Sequence, residues 1–168
     1  SGKLNNKKVV VVRSPMGKVN NAITAQVLLS GFAIETLISI SPGGAIDKEI
    51  HVGDIVIATK IFQHDFGTIK PYGFIWNKVP DGTGRDDHGY NYATDSILNL
   101  TLRHAEKGKT GLKNSILTGI IISGDQFISS PVKKEWLSKK FKAAVVDMGA
   151  GAIAQVCFAN NVPFCILR

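Results

Sequence analysis

The chain has 168 residues, 44% of them apolar and 20% charged, with a formal charge of +7. That length suits one globular domain, and apolar runs such as Val9–Val12 are strand-sized, far short of the roughly 20 residues that span a bilayer. The positive charge gathers at Lys3, Lys7 and Lys8 and at Lys133, Lys134, Lys139, Lys140 and Lys142, with few aromatics between; this reads as solvated surface and argues against a nucleic-acid partner.

No charged-then-apolar leader opens the sequence; a cytoplasmic location is the expectation. Cys157 and Cys165 both lie in apolar surroundings and are expected as buried, reduced thiols.

Taken in chain order, Lys8 to Arg13 is a continuous β-branched run, the pattern of a strand buried on both faces. From Gly17 to Phe32, Val19, Ile23 and Val27, with Ala22, Leu28 and Leu29 beside them, recur at helical spacing. Thr36–Ile40 and Asp54–Lys60 read as strands, separated by Gly43-Gly44 and Val52-Gly53-Asp54. Phe66 to Asn91 carries Pro71, Gly73, Pro80, Gly82, Gly84 and Gly89 and is expected as a long loop. A helix is expected from Tyr92 to Glu106 and a strand at Ser115–Ser123. A short helix after Pro131 comes next, with Trp136 as its core anchor, then a strand at Ala143–Asp147, a helix to about Asn160 and a strand at Pro163–Leu167.

Strands alternating with helices at this frequency imply an α/β domain of three layers, α/β/α, around a mostly parallel twisted sheet. Ligands of such sheets bind at the carboxyl ends of strands. The segments that come after expected strands are Ser14–Gly17, Ser41–Ala45, Ser123–Ile128 and Met148–Gly151. All are built of small residues and glycine, which lets backbone approach a ligand closely.

The same segments carry a family likeness. Ser14-Pro15-Met16-Gly17-Lys18-Val19-Asn20, Pro42-Gly43-Gly44 with Val52-Gly53-Asp54-Ile55-Val56, and Gln63-His64-Asp65 occur in order. Ser123-Gly124-Asp125-Gln126-Phe127-Ile128, Val146-Asp147-Met148 and Asn161-Val162-Pro163-Phe164 with Arg168 complete the series. Together they resemble the methylthioadenosine/S-adenosylhomocysteine nucleosidases of the purine nucleoside phosphorylase superfamily, which hydrolyse the bond between ribose and adenine. The resemblance implies a single domain over residues 1–168, short of the family's first strand and last helix, with the family's acid and base outside it. It implies that Phe127 stacks on the base and that the Ile128 backbone bonds the base edge. Met148 would pack on the sugar, Pro42, Gly43 and Gly44 would lie under the ribose and its 5′ group, and Arg168 would order the loop that closes the site. It implies a homo-oligomer, commonly a dimer, in which the segment from Phe66 to Tyr90 covers a neighbour's pocket, and it implies neither cofactor nor metal.

Departures from the pattern are specific. Gly149 stands where the family has a ribose-binding glutamate. Pro15 and Ser41 replace glycines, which is at odds with a phosphorylase-type phosphate cradle. The expected activity is therefore purine nucleoside N-glycosidase, impaired because Gly149 replaces the ribose-binding glutamate and the acid and base segments are absent. A non-catalytic nucleoside-binding relative is the alternative, and Gly149-x-Gly151-x-x-Ala154 also has the spacing of a dinucleotide-binding turn. His64-Asp65 and Asp86-Asp87-His88 lack metal-ligand spacing and read as polar loop residues.

Overall fold

The computed structural model describes residues 1–80, 92–94 and 114–168. The chain opens with a hairpin of β1 (Gly2–Leu4) and β2 (Lys7–Val9). Asn5 and Asn6, at φ 47° and 63°, form the turn, the positive pair that a tight two-residue hairpin requires. The buried strand expected at Lys8–Arg13 is not found. Among the described residues, no strand pairs with positions 10–13, and Val11 is 85% exposed. β-branched residues favour extended backbone, but they do not supply a neighbouring strand.

Helix α1 (Lys18–Gly31) packs on α3 (Ala150–Ala159), and both cover one face of the sheet. The expected helical period holds, but its face is turned. Val19, Ile23 and Val27 point to solvent, while Ala25 is buried among Ala154, Cys157 and their neighbours. Small residues on the inner side let the two helices approach closely, and that contact outweighs the larger side chains.

The sheet holds β3 (Leu37–Ile40), β4 (Gly44–Ala45), β5 (Ile55–Gln63), β8 (Tyr92–Ala93), β9 (Ile116–Ser123), β10 (Ala143–Asp147) and β11 (Phe164–Leu167). Their order is β3-β11-β5-β9-β10-β4, with β8 also beside β5. It is a mixed sheet: β5, β9 and β10 run parallel, as do β11 and β3, whereas β11 runs antiparallel to β5 and β4 antiparallel to β10. Side chains alternate between two cores. Ile61, Ile121 and Val145 face α1 and α3; Phe62, Ile122 and Val146 face α2 (Pro131–Phe141). Both β5 and β10 carry a bulge against β9, between Ala58 and Lys60 and between Ala143 and Val145.

Ser130 caps α2 by accepting a bond from the Lys133 amide, and Pro131 occupies its first turn. The helix buries Leu137 and Phe141 and presents Lys139 and Lys140 to solvent, as expected of the lysine-rich segment. Trp136 is half-buried under the Lys133 ammonium, 4.0 Å from its ring centroid. Phe66–Asn91 is not wholly irregular: β6 (Gly67–Lys70) and β7 (Gly73–Trp76) form a hairpin whose Trp76 packs edge-on against Phe141 at 5.1 Å. Tyr92–Ala93 is strand rather than the start of a helix, and positions 95–106 of that expected helix lie outside the described residues. Among the described residues no helix is long and apolar enough to cross a membrane.

Candidate active site

The parallel strands β5, β9 and β10 end level with one another, Gln63 beside Ser123 and Ser123 beside Asp147. The segments leaving these three strand ends are tied together. The Gly124 amide donates to the Asp147 carbonyl at 3.1 Å, and the Asp125 amide to Asp65 Oδ2 at 2.8 Å. From the other side the Lys18 amide donates to Asp125 Oδ1 at 2.7 Å, while its Nζ reaches Asp65 Oδ1 at 2.8 Å and Gln63 Oε1 at 3.2 Å. Burial alone would raise the Asp65 carboxyl; the bonds from Lys18 and the Asp125 amide, with the Lys18 and His64 charges, outweigh it and hold it below the ordinary carboxylate value.

Asp147 and Arg168 form the buried centre of this rim. Arg168 Nε donates to Asp147 Oδ2 at 2.6 Å, with side chains only 1% and 3% exposed. The same carboxylate accepts from the Gly149 and Ala150 amides at 3.0–3.3 Å and so satisfies the start of α3. Arg168 Nη1 donates to the Ser39 carbonyl and hydroxyl and to the Leu167 carbonyl.

The expected site residues divide into two groups. Gly43, Gly44, Gly149 and Arg168 come together around β10, and Met148, half-buried, sits between Asp147 and Gly149. A Cβ on Gly43 would lie 2.4 Å from Val145 Cγ1 and 3.3 Å from Arg168 Cβ, so only glycine fits there. Pro42 is exposed beside it. The route differs from the one expected. Because β3 and β11 run against β5, the Ser41–Ala45 segment reaches the rim by crossing over to pair with β10, and Arg168 reaches it with a long side chain. Phe127 and Ile128 lie on the segment leaving β9: the Phe127 ring is 84% exposed, and the Ile128 side chain packs against the core beneath α2.

The dinucleotide-type turn is not a phosphate cradle. The amides that would meet a pyrophosphate already bond Asp147, and Gly151 is pressed against Gln63 and Ser123. A separate groove of about 400 Å³ runs between α1 and α3, lined by residues including Lys18, Val19, Gln63 and Gln155; none of the expected site residues borders it.

Four residues are missed or misread from the sequence alone. Asp147 enters it only as part of a motif, although an aspartate between a strand and a helix signals a cap. Asn21, one turn into α1, donates to the Pro15 and Gly17 carbonyls at 3.1 and 2.8 Å. His64, expected as a polar loop residue, is instead fully buried, and neither ring nitrogen has a partner among the described residues, nor does the buried Ser123 hydroxyl. No sequence signal marks these last two. Cys157 and Cys165 are both buried, and burial pushes the Cys157 thiol up to about 12. Among the described residues no cluster of His, Cys, Asp or Glu could hold a metal ion.

A family model, the phosphorylase superfamily, matches residues 1–168. The chain belongs to the phosphorylase superfamily. Within that superfamily it is 34% identical to the 5′-methylthioadenosine/S-adenosylhomocysteine nucleosidase of a Marinomonas species, over 99% of this chain and 69% of the relative. It is 31% identical to the aminodeoxyfutalosine nucleosidase of Helicobacter pylori, over 99% of this chain and 68% of that protein. Among solved structures it superimposes on the Neisseria meningitidis 5′-methylthioadenosine/S-adenosylhomocysteine nucleosidase in complex with methylthio-immucillin-A. The TM-score is 0.85 at 31% identity, covering 99% of this chain and 69% of that one. The superfamily fold thus accounts for the mixed sheet and its flanking helices.

Proposed function

We propose that this superfamily member binds purine nucleosides of the methylthioadenosine, S-adenosylhomocysteine and adenosine type and hydrolyses the bond between ribose and adenine. One observation carries the reading: the glycine bend at 43–44, Met148, Gly149 and the Asp147–Arg168 pair meet around the end of β10. Likeness to named nucleosidases over nearly the whole chain supports it.

The transition state of such hydrolysis is oxocarbenium-like, so the protein must fix the sugar while the base departs. Arg168 locks Asp147, Asp147 locks the amides of Gly149 and Ala150, and the bend carrying Met148 is thereby held rigid beneath a sugar. The exposed Phe127 ring offers a stacking face for the base. A glutamate at position 149 would give the sugar a charged acceptor; hydrogen bonds to charged groups are worth about 1.5–3 kcal/mol. With the family's acid and base in place, Gly149 alone is expected to hold turnover roughly 10- to 100-fold below that of a glutamate-bearing nucleosidase.

The test is chromatography after incubation with methylthioadenosine, S-adenosylhomocysteine, adenosine and inosine, each with and without phosphate. Free adenine without phosphate is the expected result. Phosphate-dependent release would make the protein a phosphorylase. Unchanged nucleoside with measurable binding would favour a non-catalytic binding relative, the second reading that Gly149 suggests.

We also propose self-association, commonly as a dimer. The outward stripe of Val19, Ile23 and Val27 along α1 supports it, since apolar residues aligned on one helix face are a common contact surface. Part of the segment expected to cover a neighbour's pocket, 81–90, lies outside the described residues. Sedimentation at micromolar concentration is expected to give a dimer; a monomer would overturn this.

A further inference from the structure

A side chain at position 149 would collide with a residue from another element. A Cβ built on Gly149 would lie 2.6 Å from Asn21 Nδ2, 2.7 Å from Cγ and 2.9 Å from Oδ1. The Asn21 carboxamide therefore fills the space that a side chain at 149 would enter. Its orientation is fixed by chemistry: Nδ2 donates to the carbonyls of Pro15 and Gly17, and only the amide nitrogen can do so. Oδ1 must point the other way, and it makes no hydrogen bond among the described residues. The result is a neutral acceptor, held rigid from α1, beside the bend of Met148 and Gly149.

We infer that Asn21 is the sugar-binding residue of this site, its Oδ1 accepting from the vicinal hydroxyls of a ribose in place of a carboxylate at 149. This rests on the nucleoside reading above and adds which group grips the sugar. Gly149 and Asn21 then form one device: the amide occupies the space that a side chain at 149 would enter, and it serves because the glycine leaves it room.

The experiment is calorimetric titration of the full chain with methylthioadenosine and with its 2′,3′-dideoxy counterpart. It uses the wild type, Asn21→Ala, Gly149→Ala and the double variant, with thermal melts alongside. Gly149→Ala keeps Asn21 but forces its amide aside, so it tests the idea even if Asn21→Ala fails to fold. The wild type is expected to prefer the diol. Each single variant is expected to lose roughly three- to tenfold of that preference, the size of one neutral hydrogen bond, and the double variant no more than either alone. A preference for the diol that survives in Asn21→Ala or in Gly149→Ala overturns the role of Asn21 while leaving nucleoside binding intact. Equal wild-type affinity for the two ligands does the same. Binding of neither ligand to the wild type overturns both this inference and the nucleoside reading.

Discussion

Replacing Asp147 by alanine is expected to lower the free energy of unfolding by about 3–5 kcal/mol, measured by urea denaturation. Asp147 and Arg168 are almost wholly withdrawn from solvent, and their contact is 2.6 Å. The pair as such need not stabilise the fold relative to an apolar pair; the cost comes from removing one member. The guanidinium would then stay buried with only the Ser39 and Leu167 oxygens to bond, none of them charged. The same substitution frees two amides at the start of α3. Asp147→Asn separates these effects, since an amide oxygen still caps the helix but carries no charge. Its loss should fall between those of the wild type and the alanine variant. Breaking the exposed Glu135–Lys139 pair with Glu135→Ala should leave the midpoint nearly in place. A loss below about 1 kcal/mol for Asp147→Ala, typical of a solvated pair, would mean that water reaches the guanidinium.

Acidification below pH 6.5 is expected to destabilise the protein through His64. Burial depresses this imidazole below its usual 6.5; the nearby Asp65 opposes that, while the Lys133 and Lys18 charges add to it. The unfolded chain therefore takes up the proton first. Stability is complete above the unfolded value of 6.5 and declines as the pH falls toward the folded value, below which this contribution is spent. The slope in that window can approach about 1.4 kcal/mol per pH unit for one proton. Asp65 acts lower down: its carboxyl is depressed, so its contribution is present above 3.8 and lost only as pH falls through its folded value. Denaturation midpoints at a series of pH values, for wild type and His64→Gln, separate the two. The variant should be flat where the wild type slopes below 6.5, and both should fail in strong acid. Parallel curves would assign the upper limb to another group.

β9 and β10, which end at the rim, and β11 beside β5 were legible because they are nearly continuous β-branched or apolar runs, as strands covered on both faces must be. The run at Val9–Val12 has the same composition and lies outside the sheet, since composition sets backbone preference and not the neighbour. The period of Val19, Ile23 and Val27 marked a helix, but which face meets α3 depends on the alanines opposite. The hairpin at 67–76 was hidden by the glycines and proline around it, although Thr68-Ile69-Lys70 and Phe74-Ile75-Trp76 have strand chemistry. Site residues near one another in sequence were found as motifs. The Asp147–Arg168 bond spans 21 positions, and Asn21 meets Gly149 from another helix. Such partnerships exist only once the chain has folded.

The paired bulges loosen the link between chain length and side-chain facing in the sheet. Gly119–Ile120 of β9 faces Ala58–Lys60 on one side, and Ile120–Ile121 faces Ala143–Val145 on the other, so Thr59 and Ala144 are each supernumerary at the same level of the sheet. Omitting either would straighten its strand while keeping Ile61 and Val145 on the α1 side and Phe62 and Val146 on the α2 side. A one-residue deletion, which elsewhere in a strand turns every later side chain inside out, is thus absorbed at these two places.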